Sequence, residues 1–180
     1  PFPSMPLYFL NDKTFKKYKD AYFFESDNIW LHGDYVKLTS RNTLIIYGRS
    51  DATLNPSGVR IGTAEIYKQV NSIDCIQDSI AVGQLWKKDS RIILFVTIKS
   101  NKYLTDNLKK EIKEKIKTQL SSHHVPAKII HVKDIPITKS GKIMELAITR
   151  IVNGLPVENI NSIANPESLI EFKNLKELAS

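Results

Sequence analysis

The sequence predicts an α+β fold, a small domain in which packed helices cover a three-stranded sheet, and three observations carry that expectation. Residues 79–86 and 91–99 are β-rich runs separated by the charged turn Lys87-Lys88-Asp89-Ser90, the pattern of an antiparallel pair, and residues 128–132 add a further strand. Between them, Leu108, Ile112, Ile116 and Leu120 recur every fourth residue behind a capping Thr105, which lays one apolar stripe along a helix ending near Leu120. Glu111 and Lys115 stand one turn apart on its exposed side as a favourable pair. Strands and helices mixed in this order suggest a sheet with helices packed on it.

The remaining elements follow in chain order. Residues 1–6 are proline-rich and extended, and residues 7–9 read as a short strand. Around residues 16–25, Phe15, Tyr18, Tyr22 and Phe23 recur at mixed helical spacing, a short helix or turn that sets aromatics against a partner outside the chain. Residues 35–38 make a strand that pairs with 44–47 across Ser40-Arg41-Asn42, placing Asp34 and Arg49 at outer ends of neighbouring strands. Residues 45–67 then read IIYGRSDATLNPSGVRIGTAEIY. The strand stops at Gly48; Asn55-Pro56-Ser57-Gly58, with Pro second and Gly fourth, suits a type I turn; Val59-Arg60-Ile61 alternates like a return strand. Thr63 is the expected N-cap of a helix over 63–70, with Glu65 at the positive end of its dipole and Ile66 and Val70 on the buried face. A helix over 143–152 and a last short helix from Asn165-Pro166-Glu167-Ser168 to near Phe172 complete the chain, which contains no internal repeat.

Composition narrows the function classes. With 42% hydrophobic and 25% charged residues, 180 residues bury an ordinary core, as expected of a soluble globular chain. No apolar run approaches the roughly 20 residues of a membrane-spanning helix, and no charged-then-apolar leader marks a signal peptide. The single cysteine, Cys75, forms no internal disulfide, which fits a reducing compartment such as the cytoplasm, and a small buried hydrophobe is its simplest role. The net charge of +7 attracts polyanions. Its lysines are scattered over residues 109–117 and Lys128, Lys133, Lys139 and Lys142, not packed into one block with interleaved aromatics, which favours small polyanionic ligands over nucleic acid. His123-His124 diverge on a helix and have no cysteine pair beside them, so no metal site is expected. The chain opens on Pro1 without an initiator methionine and is expected to be a portion of a longer protein.

Arg49, Asp51 and Arg60 lie in a glycine-punctuated segment, where a backbone anion site flanked by guanidinium groups could be built; the same residues also describe a surface hairpin with solvated charges. PITKSGK, residues 136–142, superficially matches a phosphate loop. However, Pro136 replaces the first glycine and Ile143 the Ser/Thr that would hold magnesium, so it is not a Walker A motif.

Taken together, YGRSD followed by LNPSGVRIGTAE, His32-Gly33-Asp34 upstream and Pro136 to Lys142 downstream resemble, in order and separation, the motifs of the adenylate-forming acyl-CoA synthetases. The opening PFPSMP and the tail GKIMELAITRIVNG, with ANPESL after it, are most similar to the acetoacetate-activating branch. The resemblance implies a ligase in which acetoacetate attacks the α-phosphate of ATP, brought with Mg2+, and the thiol of coenzyme A then takes the acyl group from the adenylate. It implies that residues 1–50 end a large N-terminal adenylating domain, 51–155 form a mobile AMP-binding lid and 156–180 a C-terminal extension. The chain's own N-terminal domain would be its protein partner, without nucleic acid or membrane. Other short-chain acids of the acetyl or propionyl type, or a non-enzymatic basic module binding RNA or protein, are the competing readings.

The resemblance also assigns roles. Asp34 matches the aspartate that takes the ribose hydroxyls, which an acceptor-only carboxylate after a glycine suits, and Arg49 the arginine that bonds the same ribose. Arg60 matches the arginine near the adenylate phosphate, and Asp51 the hinge about which the lid turns between half-reactions. Ser57 and Gly58 match the loop beside the pantetheine arm, and Lys117 a basic residue near the CoA 3′-phosphate. Lys142 matches the lysine that reaches the α-phosphate and acyl carboxylate during adenylation, presented on a mobile Ser140-Gly141 tip.

Overall fold

The computed structural model describes residues 2–26 and 28–180; Pro1, part of the expected extended opening, lies outside them. Two compact units result, residues 1–34 and 35–180.

In the first unit, helix α1 (Lys16–Tyr22) organises an aromatic cluster. Tyr18 is buried, its ring lies edge-on to Phe9 and Phe15, and Tyr22 stacks on Trp30 at 3.8 Å. The aromatics therefore satisfy much of one another's burial, where the sequence suggested a partner outside the chain. Residues 2–5 form a turn closed by Met5 N–H on the Phe2 carbonyl, not an extended run. Nor are residues 7–9 a strand. The Pro6 carbonyl takes the Tyr18 hydroxyl at 2.9 Å, and the segment wraps the ring cluster instead of pairing.

From its first residue, Tyr35, the second unit forms a two-stranded ladder of β1 (Asp34–Leu38) and β2 (Leu44–Arg49), closed by Thr39 and Thr43 around a left-handed Asn42, as expected. Helix α2 (Thr63–Val70) follows. Gly62 takes the N-cap position, one residue earlier than the sequence suggests, and Thr63 is the buried first residue of the helix. A Cβ on Gly62 would lie 2.5 Å from both the Tyr47 carbonyl oxygen and Cβ, so β2 approaches the chain where only glycine fits.

The three-stranded sheet runs β3 (Ile76–Trp86), β4 (Asp89–Ile98), β5 (Lys128–His131), antiparallel then parallel. Trp86 pairs with Asp89, so the β3–β4 turn is only Lys87-Lys88, and Asp89 and Ser90 belong to the strand. One face, with Leu94, Val96 and Ile129, packs on α2 and on α3 (Asp106–Gln119) through Ile66, Val70, Ile112 and Ile116; Cys75 lies partly buried against it. Thr105 caps α3 by accepting from Leu108 N–H. Among the described residues, the ion pair on α3 is Asp106–Lys109 at 3.3 Å, and none joins Glu111 to Lys115. The opposite face, with Ile80, Val82, Ile93, Phe95 and Ile130, is covered by Ile148 of α4 (Glu145–Val152) and by Phe172 and Leu178. Helix α4 starts two residues after the expected Ile143, and the expected last short helix is the 3₁₀ segment Pro166–Phe172.

Because Phe172 is 1% exposed and lies edge-on to Phe95 at 4.8 Å, residues beyond 156 complete a core face. Phe172→Ala should therefore cost about 3–5 kcal/mol in urea unfolding of the chain. A change under about 1 kcal/mol would show that this segment is dispensable to the core.

Candidate functional site

The residues singled out by the sequence lie at strand ends, on two tight loops and, for Lys117, on a helix. Asp34 is the first residue of β1, with His32 Nε2 3.7 Å from its carboxylate and Gly33 at φ 81° before it. Arg49 ends β2 and reaches Asp51 through both Nε (3.3 Å) and Nη2 (3.2 Å), a two-pronged but solvent-exposed pair. The structure thus joins the candidate ribose arginine to the candidate hinge aspartate.

The glycine loop departs from the expected turn. Val59 N–H donates to the Pro56 carbonyl at 3.0 Å, and the two central residues, Ser57 (φ 52°) and Gly58 (φ 79°), are both left-handed, as in a type I′ turn. The turn therefore spans Pro56 to Val59, one residue later than a type I turn at Asn55. Its base is a single antiparallel bridge between Leu54 and Ile61, both buried. Ser57 is held there by Asp89: its N–H lies 3.1 Å from both carboxylate oxygens, and its hydroxyl donates to one at 2.9 Å. The Ser90 amide first, then the Ser57 hydroxyl and amide, hold the Asp89 carboxyl below the usual carboxylate range. Arg60, just past the turn, is exposed.

The lysine loop is a hydrogen-bonded hairpin. Ile137 bridges Ile143, Thr138 N–H donates to the Lys142 carbonyl at 2.8 Å, and Lys142 N–H donates to the Thr138 hydroxyl at 3.0 Å. The hairpin is fastened to the C-terminal segment by a Thr138–Ile163 bridge and by Asn165, whose Oδ1 accepts from Ile137 N–H while its Nδ2 donates to Asp134 and to the Ile135 carbonyl. The exposed Lys142 is thereby presented on a fixed backbone. Lys117 lies in the last turn of α3, also exposed. Among the described residues, no hydrogen bond or ion pair joins the side chains of Arg60, Lys117 or Lys142 to the other candidates. Nor, among those residues, is any group of three or more His, Cys, Asp or Glu side chains placed to hold a metal ion.

Sequence reasoning missed the connection between the two loops. The Tyr67 hydroxyl on α2 donates to Glu145 at the start of α4 and accepts from Ala81 N–H on the outer edge of β3 at 3.2 Å. The segment after the glycine loop and the segment after the lysine loop are thus tied around one sheet edge. Burial, reinforced by the Glu145 charge and hydrogen bond, pushes the Tyr67 phenol well above its ordinary range. A polar-tipped aromatic one residue after the buried Ile66 was the available signal, but its partner lies 78 positions away.

With this geometry in hand, residues 67–142, from that tyrosine to the hairpin lysine, match the family model of the AMP-binding enzyme C-terminal domain. Across 99% of its length the chain is 52% identical to acetoacetyl-coenzyme A synthetase of Rhizobium meliloti (strain 1021), covering 28% of that protein. It is 48% identical over 175 residues to acetoacetyl-CoA synthetase of Caenorhabditis elegans, 96% of this chain and 25% of that one. The solved acetoacetyl-CoA synthetase from Streptomyces lividans superposes with a TM-score of 0.89 at 38% identity, over 100% of this chain and 27% of its own. The chain thus spans about a quarter of the length of the relatives it matches.

Tyr67→Phe should destabilise the chain by about 1–3 kcal/mol at neutral pH, since Ala81 N–H and Glu145 lose a partner in a partly buried place. A raised folded-state pKa stabilises fully below the unfolded value of about 10 and is lost as pH rises through the folded one. Urea midpoints measured across the alkaline range should therefore fall less steeply above about pH 10 in Tyr67→Phe than in the unaltered chain. Parallel alkaline slopes would refute the hydroxyl's role.

Proposed function

We propose that this chain supplies the C-terminal part of an acetoacetate–CoA ligase, which joins acetoacetate to AMP with loss of pyrophosphate and then transfers the acyl group to coenzyme A with loss of AMP. The observation that carries this reading is 52% identity across nearly the whole chain to an acetoacetyl-coenzyme A synthetase. In this reading residues 1–50 close the large adenylating domain, 51–155 are the mobile lid and 156–180 the extension, and that large domain is the lid's partner. ATP arrives as its magnesium complex, and the enzyme works in the cytoplasm without nucleic acid or membrane.

Both half-reactions shift negative charge between oxygens, so the protein must aim cations and donors at phosphate and hold the nucleoside still. Asp34 accepts hydrogen bonds from the ribose hydroxyls, and Arg49 donates to the same sugar. Arg60 approaches the adenylate phosphate. Lys142 brings its ammonium to the α-phosphate and the attacking carboxylate, neutralising charge as the mixed acyl-phosphate anhydride forms, the α–β phosphoanhydride breaks and pyrophosphate leaves. The hairpin supports this role: its backbone is fastened at Thr138, Asn165 and Ile163, so only the lysine stem has to be ordered. Rotation about Asp51 then replaces the lysine hairpin with the Ser57-Gly58 turn, beside which the pantetheine arm runs, while Lys117 meets the 3′-phosphate.

Lys142→Ala in the full-length ligase should slow adenylation by about a hundred- to a thousand-fold, equivalent to roughly 3–4 kcal/mol of lost transition-state stabilisation. Synthetic acetoacetyl-adenylate and CoA should still give thioester at nearly the unaltered rate, because the lysine faces solvent after rotation. Equal loss in both half-reactions, or normal adenylate formation, would remove Lys142 from this role. The 180-residue chain alone should form no acyl-adenylate, and single-turnover formation of one would overturn the reading that it acts with a larger domain.

A further inference from the structure

We propose that Asp89, at the start of β4, is a positioning residue for the thiol-transfer half of the reaction: it clamps the Pro56–Val59 turn in its left-handed form and so shapes the backbone beside which the pantetheine arm runs. The inference rests on the function proposed above and adds a residue that lies 32 positions from the turn.

A type I′ turn needs two consecutive left-handed residues, a place glycine fills without strain. Gly58 meets that demand, but Ser57 carries a Cβ and still sits at φ 52°, ψ 34°. Something must offset its preference for right-handed or extended backbone. Three hydrogen-bond geometries supply it. Both Asp89 oxygens lie 3.1 Å from Ser57 N–H, and the Ser57 hydroxyl donates to the second at 2.9 Å. A charged acceptor makes these stronger than neutral bonds. The carboxylate is itself oriented by Ser90 N–H at 2.7 Å, and the Ser90 hydroxyl donates to the Asn55 carbonyl at 2.8 Å, so two successive β4 residues grip both ends of the Asn55–Ser57 segment.

The clamp's base is rigid. Asp89 pairs with Trp86 and Ser90 with Leu85 in the β3–β4 register, and β4 continues into the fully buried Ile93, Leu94 and Phe95. A turn tied to this strand moves with the sheet, so when the domain rotates the glycine-loop backbone arrives already shaped. The depressed Asp89 pKa keeps the acceptor ionised into the acid range.

Two measurements test this. In the 180-residue chain, amide hydrogen exchange at Ser57 should accelerate at least about tenfold in Asp89→Ala while α3 amides keep their protection. Unchanged exchange at Ser57 would overturn the clamp. In the full-length ligase, Asp89→Ala should raise KM for CoA about tenfold and leave pyrophosphate exchange within about twofold. Adding Ser57→Gly to Asp89→Ala should restore most of the CoA KM, because glycine adopts the left-handed form without a clamp. An unaltered KM, equal slowing of both halves, or failure of glycine to rescue would overturn the positioning role. If the unaltered ligase forms no thioester from any short acid, the proposed function falls, and the positioning role with it. The exchange result then still decides separately whether Asp89 holds the turn.

Discussion

The constraint on which the second unit depends is that β4 is buried from both sides. Ile92, Leu94 and Val96 point to one face and Ile93 and Phe95 to the other, and none of the five is more than 3% exposed. A three-stranded sheet is too narrow to bury its central strand unaided, so both faces need cover along most of its length. Helices α2 and α3 supply it on one side; α4 and the 3₁₀ turns carrying Phe172 and Leu178 supply it on the other. This explains why the last 25 residues, polar and irregular in sequence, fold back onto the sheet: Arg91 of β4 donates to the carbonyls of Leu178 and Ser180 while stacking on Trp86 at 3.6 Å.

Covering both faces leaves β3 as an open edge, with the outward backbone groups of alternate residues unpaired. Side chains take the place of a fourth strand. Tyr67 meets Ala81, while Asn153 accepts from Leu85 N–H at 2.7 Å and donates to the Gly83 carbonyl at 2.9 Å. Asn71 bonds the Ser79 hydroxyl at the strand's beginning. These residues come from α2 and the end of α4, so blocking the edge also fixes the two helices that follow the glycine loop and the lysine hairpin. Edge protection and loop placement are one set of contacts.

The parts of this arrangement with a local period were legible in the sequence. The apolar stripe of α3, the Thr105 cap, the β3–β4 pair and the β1–β2 ladder each follow from residues a few positions apart. The glycine-loop and hairpin motifs, and the family they signal, were legible through their order. What was not legible depends on distant partners. Asp89 reads as a turn residue until the register places it on β4 opposite Trp86, within reach of Ser57. Asn165 reads as a helix start, yet its amide holds Ile137 and Ile135. Gly62, not Thr63, takes the cap, and Tyr47 packs there, a contact between a strand and a helix that no local pattern records.

These contacts also bear on where the chain can turn. Leu54 and Ile61 bridge each other inside the core beneath α2, so everything from Leu54 onward moves with the sheet. Between Arg49 and Leu54 the ties are weaker: Ala52 N–H on the Arg49 carbonyl at 3.3 Å, the Thr53 hydroxyl on the same carbonyl at 3.1 Å, and the exposed Arg49–Asp51 pair. An exposed pair of this kind is worth about 0–1 kcal/mol even with good geometry. Tyr47 of β2 also lies in van der Waals contact with Gly62, and contact of that kind can be lifted off without stranding a buried polar group. The proposed pivot at Asp51 thus lies among surface bonds, and the Asp51 carboxylate, by holding Arg49 through two nitrogens, couples any turn there to the orientation of the proposed ribose-binding arginine.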